Sequence, residues 1–485
     1  MGQATTATGR WLALAAALLG WMFDGLEMGL FPLVARPALL ELFGPGTPES
    51  RVAAWFGVIT AGFLVGAATG GVLFGWLGDR IGRVRAMTLS VLVYAGCSGV
   101  CAFAAAPWQL AVLRFAGALG MGGEWALGVA LVMELWPNSS RAWLAGWIGA
   151  FGNLGYLVVG SAALALNRFG TEIDAGPLTA KGNWRLLMLV GAAPAVLTLF
   201  IRLAVPESEK WRREKEAGAA RHWSSTDLLA VLFGAGAAAG VIAVWATDAG
   251  YPERVAVTVP GLVVVAGCYL FPASRYLRRC GVSADDRTRT IGRMLLAAGL
   301  SGVPLLGTWA AVMWMYNWAD KLIQDAGGSN PDARPLTQIA SSLGAAAGCL
   351  IGALLGGRFG RRPVYAGLCA LSAGTVVGFF HLNTGFGPAF VAWAGLLGAV
   401  TAAFYGWLPL YLPELFRTGV RATGQGFGFN FGRILAAVGA LQTGALLKAF
   451  DNDYAKACSL VAVVYAFGLV LIAMAPETRG KPLPE

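Results

Sequence analysis

Gly75-Trp76-Leu77-Gly78-Asp79-Arg80-Ile81-Gly82-Arg83-Val84-Arg85 is a tight, basic, glycine-bearing loop between two long apolar runs. Two apolar helices joined so closely form a hairpin, and a hairpin returns to the membrane face it left. Its arginines pick the face, because short cytoplasmic loops collect Lys and Arg. A related loop, Gly356-Gly357-Arg358-Phe359-Gly360-Arg361-Arg362, follows at an offset of 278 residues. It has Gly357 where the first has Asp79, so that carboxylate is expected to act in the first half only.

The chain has 485 residues, of which 57% are hydrophobic and only 13% charged, with a mean hydropathy of +0.63. A soluble protein carries about 25% charged residues, so the composition reads as a polytopic membrane protein. The net charge of +10 does not point to nucleic acid. Of the 36 Lys and Arg residues, 24 fall in segments assigned to the inner face, 10 to the outer face, and Arg114 and Arg433 lie within spans. That bias is topological. The seven cysteines are odd in number, lack metal spacing and read as packing residues. The first apolar run starts near Trp11 and continues past Asp24 to Pro32, too long for a cleavable signal core.

Apolar runs fall near 11–35, 52–77, 86–106, 108–134, 143–167 and 184–204, then 228–246 and 255–271. They resume at 293–318, 336–356, 364–381, 388–412, 420–447 and 457–475. The expectation is an all-α protein of fourteen spans with both termini inside. It comprises one six-helix bundle over 1–205, a linker over 206–292 carrying two extra helices, and a second bundle over 293–485. The extra pair is short and free of charge in its spans, which predicts a peripheral hairpin facing lipid.

The two bundles are repeats. Glu134, Arg141, Gly146, Phe151, Gly152 and Asn153 recur as Glu414, Arg421, Gly426, Phe431, Gly432 and Arg433 at one offset of 280. Each half also ends alike, with Pro206-Glu207-Ser208 against Pro476-Glu477-Thr478. Parallel repeats imply two bundles rocking about a central site. Stripes at Gly62/66/70, Gly344/348/352/356 and Gly424/428/432 are expected to serve moving contacts between the halves, with plain tight packing as the competing assignment.

A charge at mid-bilayer costs at least about 2.5–3.5 kcal/mol, so each needs a reason. Asp24 and Glu27, three apart, share a helix face, and two carboxylates there cannot both stay ionised cheaply. They are candidates for proton coupling, or alternatively a salt-bridged lock. Glu124 is a further proton candidate. Arg114, ten residues earlier in the same span, is expected either to pair with an acid or to tune it. Arg433 occupies the repeat position of Asn153, with Asn430 and Tyr156 one turn away from each. A guanidinium opposite an amide makes a carboxylate clamp; the alternative is an ion pair with Asp24, Glu27 or Glu124. Tyr316, Asn317 and Tyr405 complete the candidate binding set, flat walls with a few polar anchors.

The repeated loop resembles the signature of the major facilitator superfamily, over nearly the whole chain. Arg114 with Gly117, Gly120, Gly122 and Gly123 resembles the fourth-span motif of its proton-driven members. Gly120–Trp125 with Glu134–Pro137, and Trp184-Arg185 with Pro206–Trp211, are similar to sialic-acid and carboxylate permeases, which also carry an extra central pair. Phe23–Glu27 and Gly432-Arg433 look like the aromatic-acid/proton symporters. The resemblance implies that Asp79, Arg80, Arg83, Glu134, Arg141, Glu414 and Arg421 form a cytoplasmic gate.

The resulting expectation is a proton-coupled importer of an organic anion, a monocarboxylate or acidic sugar. It is a monomer in a bacterial inner membrane, with the lipid bilayer and the solute as its partners. No cofactor is expected beyond the proton gradient, with sodium an open alternative. The competing functions are a neutral sugar or polyol porter and a proton-coupled cation or drug antiporter. No enzyme is expected: His222 and His381 are the only histidines, and no triad or metal cluster is legible.

Overall fold

The computed structural model describes residues 7–47, 49–136, 141–169, 184–196, 205, 207–218, 222–245, 247, 249–451 and 453–484. All regular structure among them is helical. The first half comprises α1 (Ala7–Phe43), α2 (Glu49–Ile81), α3 (Arg83–Cys101), α4 (Pro107–Leu135), α5 (Arg141–Phe169) and α6 (Trp184–Val190). The short α7 (Glu209–Glu216) leads to a hairpin of α8 (Leu228–Trp245) and α9 (Tyr251–Arg279). The second half comprises α10 (Ala284–Ala310), α11 (Met315–Asp325), α12 (Ala333–Phe359), α13 (Arg361–Leu382), α14 (Pro388–Tyr411), α15 (Arg421–Ala449), α16 (Tyr454–Ala462) and α17 (Val464–Met474).

Twelve helical segments among the described residues are long and apolar enough to cross a membrane. The 29-residue α15 is a further long helix, and α6 opens the expected span 184–204, of which 197–204 lies outside the described residues. In the span after Ala284, the helix breaks at Ala311 into a 3₁₀ turn, Val312–Trp314, before α11. That break turns Met313, Met315 and Tyr316 inward.

Apart from Gly62, which has nothing within 4 Å, the stripe glycines pack helices inside each half, which corrects the expectation that they serve moving contacts between halves. A Cβ on Gly66 or Gly70 would run into the α4 backbone at Phe115 or Leu119. Those on Gly344, Gly348 and Gly352 would strike α14 at Gly395, Ala399 and Ala403, and those on Gly428 and Gly432 would strike α10. The glycines between halves are others. Gly75 would meet the Ala422 carbonyl at 2.9 Å, Gly149 the Tyr405 carbonyl at 2.6 Å, and Gly357 the Ala142 Cβ at 2.7 Å.

The hairpin α8–α9 is more than a lipid-facing appendage. Tyr269 meets the Thr69 hydroxyl of α2 at 2.6 Å, both groups buried. Val241 and Trp245 pack on Val438 and Leu441 of α15. Below them, Trp223, Tyr276 and Leu277 cluster with Trp76 of α2 and Val420. It covers the seam between α2 and α15, one helix from each half.

Candidate functional site

A cavity of about 90 Å³ lies where the halves meet. Trp21 and Met28 come from α1, Asn153 and Tyr156 from α5, and Thr308 and Trp309 from α10. Met313, Met315 and Tyr316 come from the helix break, Ser341 and Ser342 from α12, Thr401 and Tyr405 from α14, and Phe429 and Arg433 from α15. Five of the polar side chains around it have partners. The Asn153 amide donates to Gly149 O (3.0 Å) and Cys349 Sγ (3.4 Å). Thr308 and Tyr405 share a 2.8 Å bond, and Ser342 and Thr401 donate to carbonyls of their own helices at 2.7 Å. Arg433 Nη1 and the Trp21 indole N–H are buried without a hydrogen-bond partner, and of the two only Arg433 carries a charge.

Of the anticipated binding residues, Arg433, Asn153, Tyr156, Tyr316 and Tyr405 line this cavity. Asn317 and Asn430 do not. Asn317 accepts from Arg334 at 3.1 Å, and Asn430 donates to Gly122 O at 2.9 Å, pinning α15 to α4. Trp21 and Phe429 were legible only through spacing: Trp21 stands three residues before Asp24, and Phe429 four before Arg433, on the same helix faces.

Beside the cavity, the intramembrane charges sort into two sets. Glu27 does not pair with Asp24; it forms a buried ion pair with Arg114, whose guanidinium also lies over Phe63 (4.5 Å) and Phe31 (5.2 Å). Asp24 instead neighbours Glu124, with the Tyr94 hydroxyl on the far side and Arg433 the cation acting on Asp24. Neither Glu124 oxygen has a well-formed hydrogen bond, nor has Asp24 Oδ1. A Cβ on Gly20 would collide with Glu124 Oε1, so α1 admits this carboxylate only because residue 20 has no side chain.

On the arginine-rich face, charged side chains join the halves. Arg421 bonds Glu134 at 2.9 Å, and Arg83 reaches the same oxygen at 3.4 Å. Asp79 pairs with Arg83 (2.7 Å) and accepts from the Thr423 amide (2.9 Å) and hydroxyl (2.6 Å) across the interface. Arg361 pairs with Glu414 at 2.7 Å, and Arg141 approaches Glu414 at 3.9 Å from the other half. Arg80 stands apart, its guanidinium 5.0 Å above the Trp76 ring with no ion pair among the described contacts.

The repeated half-endings supply parts not anticipated in this network. Glu207 accepts from the Arg83 and Val84 amides at 2.9 and 3.1 Å, and Glu477 from Arg361 and Arg362, both at 3.1 Å. Ser208 donates to Glu134, and Thr478 to Glu414. The signal was their recurrence; nothing local linked them to loops far earlier in the chain.

Two half-bundles clasped at one face around a shared central cavity define a solute carrier rather than an enzyme. The family comparison agrees. Residues 9–319 match the model of the Major Facilitator Superfamily, and 259–485 that of the sugar (and other) transporters. The chain belongs to the Major Facilitator Superfamily, whose members work as secondary active transporters by alternating access, and it is an integral membrane protein. It is 27% identical over 478 residues to a metabolite transport protein of Haemophilus influenzae, covering 98% of each chain. It is 24% identical to the niacin transporter NiaP of Acinetobacter baylyi, covering 96% of this chain and 93% of that one. Its fold matches the proton:xylose symporter XylE of E. coli with a TM-score of 0.71, at 17% identity and 98% coverage of both chains.

Proposed function

We propose that this carrier imports a small organic monocarboxylate together with protons. Bundles 1–205 and 293–485 rock about the cavity, and the charged clasp serves as the cytoplasmic gate. The observation that carries the reading is Arg433, a buried cation in the lining of a mostly apolar cavity, with Nη1 lacking a hydrogen-bond partner. A ligand there gains one charge-assisted bond and otherwise meets flat apolar walls. This favours a carboxylate on a flat, mostly apolar body over an acidic or neutral sugar, whose many hydroxyls would face mostly apolar walls. The niacin transporter among the relatives, named for such an acid, supports the same choice.

The proton carriers are Asp24 and Glu124. With the cavity empty, Arg433 balances the charge of Asp24. A proton on the Asp24–Glu124 pair releases Arg433 to hold an incoming carboxylate, and the loaded site then reorients with its charges matched. Glu27 and Arg114 balance each other nearby and keep α1 and α4 in register. The carrier sits in a bacterial inner membrane in this reading, with both termini cytoplasmic.

The test is uptake of benzoate, nicotinate, lactate, sialic acid and xylose into proteoliposomes, with and without an inward proton gradient. Gradient-stimulated uptake of a flat acid is expected, abolished in Asp24→Asn. Arg433→Ala should lower apparent affinity about 10- to 100-fold, the equivalent of a charged hydrogen bond worth about 1.5–3 kcal/mol. Undiminished affinity in Arg433→Ala, or uptake of xylose in place of every acid, sinks the reading.

A further inference from the structure

Against the cavity wall lies an aromatic stack built from both halves. The Trp125 ring of α4 lies flat against the Phe429 ring of α15, with centroids 3.9 Å apart and planes at 15°. Trp21 of α1 closes the edge, its centroid 6.1 Å from Trp125 and 6.3 Å from Phe429. All three are buried. Room for Trp21 comes from Gly152, where a Cβ would run into the indole.

The position of this stack along its helices gives it a role. On α15, Phe429 stands between Arg433 at the cavity and Arg421 in the charged clasp. On α4, Trp125 stands roughly two and a half turns deeper than Glu134, the partner of Arg421. The stack therefore joins the same two helices as the clasp, one layer nearer the ligand. The rings thus meet between the cavity and the arginine-rich face, where a barrier to solute would stand. The stack also touches the chemistry on both sides: Trp125 follows Glu124 in the chain, and the Arg433 guanidinium lies 5.2 Å from the Phe429 centroid.

We infer that the Trp125–Phe429 stack, edged by Trp21, is an inner barrier distinct from the charged clasp, and that Arg433 resting on Phe429 ties its opening to ligand binding. The second part rests on the reading of Arg433 as the carboxylate anchor; the first does not. A guanidinium lies on an aromatic face through cation–π attraction, and a carboxylate within reach draws it away. The stack then loses a contact only when the cavity is filled. With the cavity empty it stays shut, and the ion gradient is not spent without cargo. Trp125 acts here as a positioning residue, holding Phe429 across the interface.

The experiment uses the full chain in membrane vesicles, with a Ser341→Cys reporter in the cavity wall. Cys280, exposed beside the arginine-rich face, is retained as an internal standard, and the other native cysteines are replaced. A membrane-impermeant thiol reagent is applied from the Cys280 side. Trp125→Ala and Phe429→Leu should each speed labelling of residue 341 relative to Cys280 at least tenfold, while Trp125→Phe stays near the parent rate. Unchanged labelling in both Trp125→Ala and Phe429→Leu, in protein that remains monodisperse in detergent, overturns the barrier.

The link to the ligand is read separately, with benzoate as probe. Trp125→Ala, outside the cavity lining, should bind benzoate within threefold of the parent, yet accumulate it at least tenfold less under a proton gradient and leak protons without it. Full accumulation with accelerated labelling overturns the link and leaves the barrier standing. A parent that binds no benzoate overturns both the anchor reading and the link, while the labelling result still decides the barrier.

Discussion

At the scale of single residues, the lining of the first half is fixed by what glycine omits. Gly20 leaves the space that Glu124 fills, and Gly71 leaves the space of the Asn430 amide. Gly20→Ala should therefore push Glu124 off Asp24 and slow proton-driven uptake at least tenfold, with a normal yield of folded protein. Parent-like uptake in that variant would mean that the position of Glu124 is immaterial. The buried charges were legible in the sequence because each stands out in an apolar run. Their partners were not. Helical spacing says which residues share a face, but it is silent on which neighbouring helix that face meets. This is why Glu27 was grouped with Asp24 and not with Arg114. Trp21 and Phe429 escaped notice for the opposite reason: an aromatic in an apolar span resembles any packing residue.

At the scale of elements, the two loop repeats are one device used twice. Gly82 and Gly360 adopt φ/ψ of 115°/153° and 105°/160°, a region in which side-chain-bearing residues are strained by about 1–3 kcal/mol. Each turn exposes the first amides of the next helix to a carboxylate from the end of its own half. The two carboxylates differ in setting. Burial raises the pKa of Glu207 above the ordinary glutamate value despite its backbone donors. Burial also acts on Glu477, but the amides of Arg361, Arg362, Arg479 and Thr478 outweigh it and hold its pKa below that value. A carboxylate accepts from an amide most strongly when ionised. As pH falls, Glu207 should take up its proton first, and the first-half loop should loosen before the second. Hydrogen exchange, corrected for intrinsic rates, should show Arg83 and Val84 losing protection at a higher pH than Arg361 and Arg362. The reverse order would refute this.

At the scale of the whole molecule, the clasp converges on Glu134, which holds Arg83 from its own half and Arg421 from the other. Glu134→Gln leaves two buried guanidinium groups without their common counter-charge. Losing one partner of a buried pair costs about 3–5 kcal/mol, and each 1.4 kcal/mol shifts a two-state equilibrium about tenfold. The variant should spend far more time open at the arginine-rich face, and spin labels on Arg85 of the first half and Arg417 of the second, both exposed, should report a longer, broader distance distribution than in the parent. An unchanged distribution would show that other contacts hold that face. The architecture was readable from the chain because apolar run length and a repeat at constant offset survive without knowledge of packing. The seating of the hairpin was not, since an apolar helix looks the same against lipid as against protein.

That seating has a mechanical consequence. At membrane depth no water waits to replace a broken hydroxyl pair, whereas apolar side chains such as Val241 and Val438 can slip past one another. The Thr69–Tyr269 bond thus ties α8 and α9 to the first half, leaving their contacts with α15 as the bearing on which the second half turns. The two moving bodies are unequal in girth. In a viscous bilayer the slimmer one meets less drag, so the second half is expected to take the larger part of each swing.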